Sequence, residues 1–163
     1  MAREWIPPQQ FARQLPPANL YSWLYFTNAE GWPLAMLAAR QELGWQMPGG
    51  LYDHADQEPF ATAVRETGEE TGIRFTGDPV FLGLQISPPG RDSWPYLKIG
   101  VCFDGGILTP DQVDAIRLDP DEHSEFRVLP LEHWEQPMGP ETYQQTVLMD
   151  QARRTGVPYY LGL

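Results

Sequence analysis

The stretch that most constrains this chain runs from Gly49 to Ile73: a glycine pair, a loop, a segment dense in acid, and a closing Gly72. At about 100° per helical residue, Phe60, Val64, Thr67 and Thr71 fall within one narrow arc, and Glu66, Glu69 and Glu70 within another well away from it. The pattern predicts a helix that packs with one face and does chemistry with the other. Carboxylates at i, i+3 and i+4 repel, at about 0.2–0.5 kcal/mol per pair. Arg65 can lean toward Glu69 one turn later and hold its rotamer, but one base does not neutralise three acids. A divalent cation does. Hard oxygen ligands suit Mg²⁺ or Mn²⁺, and Mg²⁺ binds through a few carboxylates together with substrate phosphates. The competing reading is a solvated acidic helix face.

The surroundings of the three acids favour the metal. Arg65-Glu66-Thr67-Gly68-Glu69-Glu70-Thr71-Gly72-Ile73, preceded by Met47-Pro48-Gly49-Gly50, resembles the Nudix hydrolase box, Gly-x5-Glu-x7-Arg-Glu-apolar-x-Glu-Glu-x-Gly-apolar. Three positions depart from it. Counting back from Arg65, the first glutamate of the box falls on Gln57, while the sixth residue after Gly50 is Asp56; either Asp56 replaces the missing carboxylate or that anchor is weakened. Thr67 stands where the box has a larger apolar residue, and Gly68 costs about 1 kcal/mol against alanine within a helix.

The resemblance implies an α/β/α sandwich with a mixed β-sheet over roughly residues 20 to 155. It implies that Glu66, Glu69 and Glu70 face divalent cations beside a pyrophosphate, and that Gly49 or Gly50 gives a backbone carbonyl to the metal. Pyrophosphate hydrolysis needs phosphate charge neutralised and a water deprotonated. Glu69, oriented by Arg65, is the expected base. Family members also recruit a carboxylate from a loop outside the box, which makes Glu125, with Glu122 and Asp121, a second candidate; the same run also reads as a solvated acidic loop.

At 163 residues and 42% hydrophobic, the chain has material for one core. Its net charge of −11 argues against a groove that tracks long nucleic acid, where affinity rests on clustered lysine and arginine. Cys102 stands alone between Val101 and Phe103, which excludes an internal disulfide and reads as a buried small apolar residue. Residues 1–8 lack the apolar run of a signal peptide and no later stretch could span a bilayer, so a soluble, cytoplasmic protein is expected.

Residues 1–19, with Pro7-Pro8 and Pro16-Pro17, read as an extended arm before a Nudix-like domain of residues 20–163. Anchored by Trp5, Ile6 and Phe11, the arm would wrap its own domain or dock across a homodimer. Strands are expected over 20–27 and 32–40, as a hairpin, and over 43–47, 73–75, 80–87, 96–103 and 126–131. Helices are expected from Thr109 through Ile116 and from Pro140 to Arg154.

For substrate, Trp45 beside the glycine turn and Trp94 in the 88–95 loop are placed to stack on a base, Trp94 equally to pack, while Trp23 and Trp32 read as core. Arg91 or Lys98 would hold a phosphate or carboxylate. His54, His123 and His133 have no metal-ligand spacing and read as surface or packing histidines. These features describe a Mg²⁺- or Mn²⁺-dependent hydrolase that cleaves the pyrophosphate of a nucleoside diphosphate linked to another group. The alternative is a Nudix-like module that binds a nucleotide or ADP-ribose without turnover, a reading that the loss of the first box glutamate favours.

Overall fold

Leu24 and Phe26 point to one side of strand β1 (Ala18–Thr27), Trp23 and Tyr25 to the other, and all four are buried. A strand buried on both faces needs a layer on each side of its sheet. The structure, a computed structural model describing residues 5–163, supplies both. After β1 come β2 (Leu34–Ala38), β3 (Trp45–Gln46), β4 (Gly49–Leu51), the acidic helix Pro59–Thr71, β5 (Phe81–Ser87) and β6 (Leu97–Ile107). A short helix Pro110–Asp114, β7 (His123–Val128), a long helix Glu135–Thr155 and β8 (Tyr159–Gly162) complete the chain. With the single turn Pro8–Ala12 counted as α1, these helices are α2, α3 and α4.

The main sheet has the order β4-β1-β6-β5-β8 and is mixed: β1 runs parallel to β6 and antiparallel to β4, and β5 parallel to β8 and antiparallel to β6. A smaller antiparallel sheet has the order β3-β2-β7. Helix α2 covers one face, where Phe60, Ala63 and Val64 meet Leu24, Phe26, Val101 and Phe103. Helix α4 covers the other, where Met149 and Ala152 meet Trp23, Tyr25 and Cys102. Each large apolar side chain so buried contributes about 1.5–3 kcal/mol. This is the expected α/β/α sandwich, and the α2 arc chosen from the sequence is the packed one: Thr67 and Thr71 are fully buried. Cys102 is buried, as its flanks required.

Several expectations fail for local reasons. The arm is not wholly extended, because proline is tolerated in a first helical turn and Pro8 opens α1. Its anchors Trp5 and Phe11 lie on the surface, not packed on their own domain; residues 1–4 lie outside the described residues. β1 and β2 do not form a hairpin ladder. A single bridge, Thr27 to Pro33, joins them before they enter different sheets. Trp32 is exposed, not core. Residues 73–75 form no strand, although Ile73 still enters the α2 core. β6 continues past Phe103 because an irregularity in the β1–β6 register at Tyr25/Phe26 absorbs Gly105. α4 begins before Pro140 only by a turn that breaks at Gly139.

The register places Gln85 of β5 beside Gly100 of β6, and Gly100 beside Tyr21 of β1. Tyr21 and Trp23 stack at 5.3 Å between centroids, with 21° between planes. A Cβ on Gly100 would sit 2.5 Å from Tyr21 Cζ and 2.7 Å from the Trp23 ring. Gly100→Ala should therefore overpack this face and cost about 1–3 kcal/mol in urea unfolding, with an altered near-ultraviolet aromatic signal. An unshifted unfolding midpoint would show that the two rings yield freely.

Candidate functional site

Arg65 lies on α2 between three carboxylates. Its Nε and Nη2 donate to Asp56 Oδ1 and Oδ2 at 3.1 and 2.9 Å, a bidentate pair with a carboxylate only 5% exposed. Nη1 reaches Glu66 Oε1 at 2.8 Å and Glu69 Oε2 at 3.0 Å, and Nη2 also donates to the Leu51 carbonyl at 3.2 Å. Asp56 accepts further from the Asp53 amide and the Thr62 hydroxyl. The Arg65 guanidinium first, and these hydrogen bonds with it, hold the Asp56 carboxyl well below the usual range. Asp56, not the exposed Gln57, is the carboxylate that anchors the loop.

The glycine turn comes up against the acids. The Gly49 amide donates to Glu70 Oε2 at 2.8 Å, and a Cβ on Gly50 would lie 2.4 Å from Glu66 Cδ. Only glycine lets the backbone approach this closely. Gly72, left-handed at φ 73°, ends the helix, and the segment after α3 crosses its last turn. There Arg117 and Asp119 donate their amides to the carbonyls of Thr71 and Glu70. This brings in Glu122 and His123, whose ligand atoms lie with one from Glu70 within 4.8 Å of one another.

Glu70 is thus buried, whereas Glu69 stays exposed. Burial first, then the charges of Glu66, Glu122 and Glu69, push its pKa up to about 8 against the opposing Gly49 hydrogen bond. Burial also raises Glu66, with Arg65 opposing. His123 Nδ1 stands 3.7 Å from Glu70 Oε1, too far for a hydrogen bond, and neither ring nitrogen has a partner. Burial lowers its pKa, which favours the neutral, metal-ligating imidazole. A buried acid that lacks counter-charge, Glu70, beside an imidazole without a hydrogen bond, fits a divalent cation.

Other expected residues divide. Glu125 sits on β7, ion-paired to Arg127 at 2.5 Å, and is not part of the cluster; Glu122 is the loop carboxylate that is. His123, read from the sequence as ordinary, is the residue that reading missed; its one signal is its place after the Asp121-Glu122 pair. His54 and His133 are exposed. A cavity of about 580 Å³ opens from Gly49 and Gly50 and runs between the main sheet and α4. Trp45, Arg91 and Lys98 line it. Trp45 packs edge-on to Trp134 and lies under the Arg127 guanidinium, while Arg91 is ion-paired to Glu141. Trp94 does not line the cavity; its indole N–H donates to Asn19.

A sequence model of the NUDIX domain matches residues 23–148. Comparison with curated proteins finds no match. Among solved structures, the MutT protein of Methanosarcina mazei is similar at 23% identity and TM-score 0.65, over 87% of this chain and 97% of that one. An ADP-ribose pyrophosphatase of Streptococcus suis is similar at 19% identity and TM-score 0.57, over 89% and 98%. The NUDIX domain of Shewanella oneidensis NrtR, complexed with ADP-ribose, is similar at 15% identity and TM-score 0.63, over 92% and 100%. Among the described residues no helix is long and apolar enough to cross a membrane.

Two outcomes follow from the electrostatics. Asp56→Asn leaves Arg65 short of its buried partner and should cost about 3 kcal/mol in chemical unfolding, whereas Gln57→Ala should stay within about 0.5 kcal/mol. Because the folded Asp56 carboxyl is depressed, its contribution is complete above the usual carboxylate range and is lost as pH falls below it. Glu70 has the opposite sign. With its folded pKa raised from 4.5 to about 8, metal-free protein should lose stability as pH rises through that window. Melting curves in chelator from acid to alkaline pH should show the wild type falling further than Glu70→Gln. Excess Mg²⁺ should then stabilise the wild type more than the variant. Parallel pH curves would show that Glu70 carries no such strain.

Proposed function

Because the chain belongs to the NUDIX domain family, we propose that it is a pyrophosphohydrolase, cleaving the pyrophosphate of a nucleoside diphosphate linked to another group, with Mg²⁺ or Mn²⁺ as cofactor. The observation that supports this most is the convergence of buried Glu70, Glu122 and His123 against the glycine turn, whose Gly49 and Gly50 line a cavity large enough for a nucleotide. The similarity to an ADP-ribose pyrophosphatase and to a domain complexed with ADP-ribose supports a linked diphosphate.

In this reading Glu66, Glu70 and Glu122 would hold the cation, with His123 and the Gly50 backbone beside them. The cation would neutralise phosphate charge and make a water acidic. Glu69 would be the base for the attacking water: it is exposed, and Arg65 orients its carboxylate through the 3.0 Å bond. Arg91 and Lys98 meet the distal part of the substrate, and Trp45 gives it an apolar wall. The binding-module alternative drew its support from the missing first glutamate. Asp56 bonds Arg65 in its stead, which weighs toward turnover.

Turnover should be assayed on ADP-ribose, a dinucleoside polyphosphate and a nucleoside triphosphate, with and without Mg²⁺ or Mn²⁺. Glu69→Gln and Glu70→Gln should each lower kcat by about 100-fold or more, and Glu122→Gln by about tenfold or more, with the fold intact. Glu125→Gln should stay within about twofold, because its partner is Arg127. No metal-dependent cleavage of any of the three by the wild type would return the chain to a binding role.

A further inference from the structure

Gly49 and Gly50, which lie against Glu70 and Glu66, form one border of the cavity; residues of the main sheet floor it and α4 roofs it. Leu84 packs into the α2-side core, so its neighbour Gln85 points the opposite way, toward the cavity that it lines. In the same row Gly100 carries no side chain, and the Tyr21 ring, stacked on Trp23, lies over it. The Gln85 side chain therefore borders an aromatic platform. It is 8% exposed, and its Oε1 has no hydrogen-bond partner.

A buried amide with an unsatisfied end weakens the free protein, and a methionine or leucine would fill the same strand position without that penalty. Packing gives this acceptor no partner; a ligand edge would. We propose that Gln85 reads the nucleobase of the substrate: the base enters beside the Tyr21–Trp23 stack and exchanges a donor and an acceptor with the Gln85 amide. This deepens the hydrolase reading and rests on it only for the end at which the phosphates lie. An amide offers one N–H and one C=O side by side, and rotation about its last torsion exchanges them. It thus pairs with a base edge that sets one donor beside one acceptor, and not with two adjacent donors. A carboxylate in its place only accepts, which favours the adjacent N1–H and N2–H of guanine.

The test is equilibrium binding of the four nucleoside 5′-monophosphates in chelator, followed by intrinsic tryptophan fluorescence, since Trp23 and Trp45 line the cavity. No turnover is involved, so a failed hydrolase reading leaves this measurement standing. The wild type should separate the best and worst bases by about tenfold, the worth of one good hydrogen bond. Gln85→Met should compress that spread to about twofold, mainly by weakening the preferred base. Gln85→Glu, which keeps the side-chain shape, should at alkaline pH raise guanosine monophosphate relative to the other three. Equal affinities in the wild type, an unchanged spread in Gln85→Met, or no shift toward guanine in Gln85→Glu would each overturn the assignment. Turnover that persists alongside any of these results would leave the hydrolase reading intact.

Discussion

The Arg65 guanidinium is the contact on which the site depends. Its contact with Glu69 joins groups that are 31% and 59% exposed, and by itself is worth little. The pair with Asp56 is another matter: one carboxylate, almost wholly buried, receives two parallel N–H bonds and ties the loop after β4 to the middle of α2. The same guanidinium bonds the Leu51 carbonyl, so β4, the loop and the helix share one fastening. Lysine could not reproduce it, because an ammonium has no planar fork. With Arg65 committed to Asp56, Glu66 and Glu69, its guanidinium leaves Glu70 to other neighbours.

That shortage gives Glu70 its character. Helix geometry sets the three box glutamates on one face, but Gly49 and the 117–123 segment close over only one of them. The outcome is one exposed carboxylate held in place, and one buried carboxylate without counter-charge next to an unpartnered imidazole. For folding alone this is a poor arrangement, since a buried acid beside other acids holds its proton near neutral pH. Local rules broken in this way, within a helix whose other face packs well, mark the place where stability has been given up for chemistry.

How much of this the sequence disclosed depends on the range of the interaction. Helical periodicity separated Thr67 and Thr71 from Glu66 and Glu69 without any tertiary knowledge, and Gly72 announced the helix end. Counting alone could not choose between Gln57 and Asp56; the choice rests on Thr62 and Arg65 converging on one carboxylate, which needs the loop in three dimensions. His123 was illegible for a similar reason. Its neighbour Glu70 is far away along the chain, and what joins them is a backbone contact from residue 119 to residue 70. β8 escaped notice because four residues after a helix carry too little pattern, and it exists only as a parallel partner to β5. Nothing local separates Glu125 from Glu122 and Asp121, because the sequence does not record that β7 begins at His123 and that Glu125 pairs with Arg127.

The acid cluster and the cavity are built from separate parts of the fold. The cluster belongs to α2, the glycine turn and the segment before β7, tied through Arg65 and Glu70. The cavity floor belongs to β1, β5 and β6 on the face that looks toward α4. β1 and β4 run between them, through the Tyr21–Leu51, Ser22–Gly50 and Trp23–Gly49 pairs, and α2 packs on the other face of the same sheet. A substitution at Gln85 should therefore leave the cluster's hydrogen bonds in place, since distant sites without shared partners act independently. The reverse does not hold to the same degree: Gly49 and Gly50 line the cavity and lie against the acids, and any side chain there would strike β1 or Glu66. In the function proposed above, chemistry belongs where backbone and carboxylates touch, and choice of ligand to Gln85, whose Oε1 packing leaves without a partner.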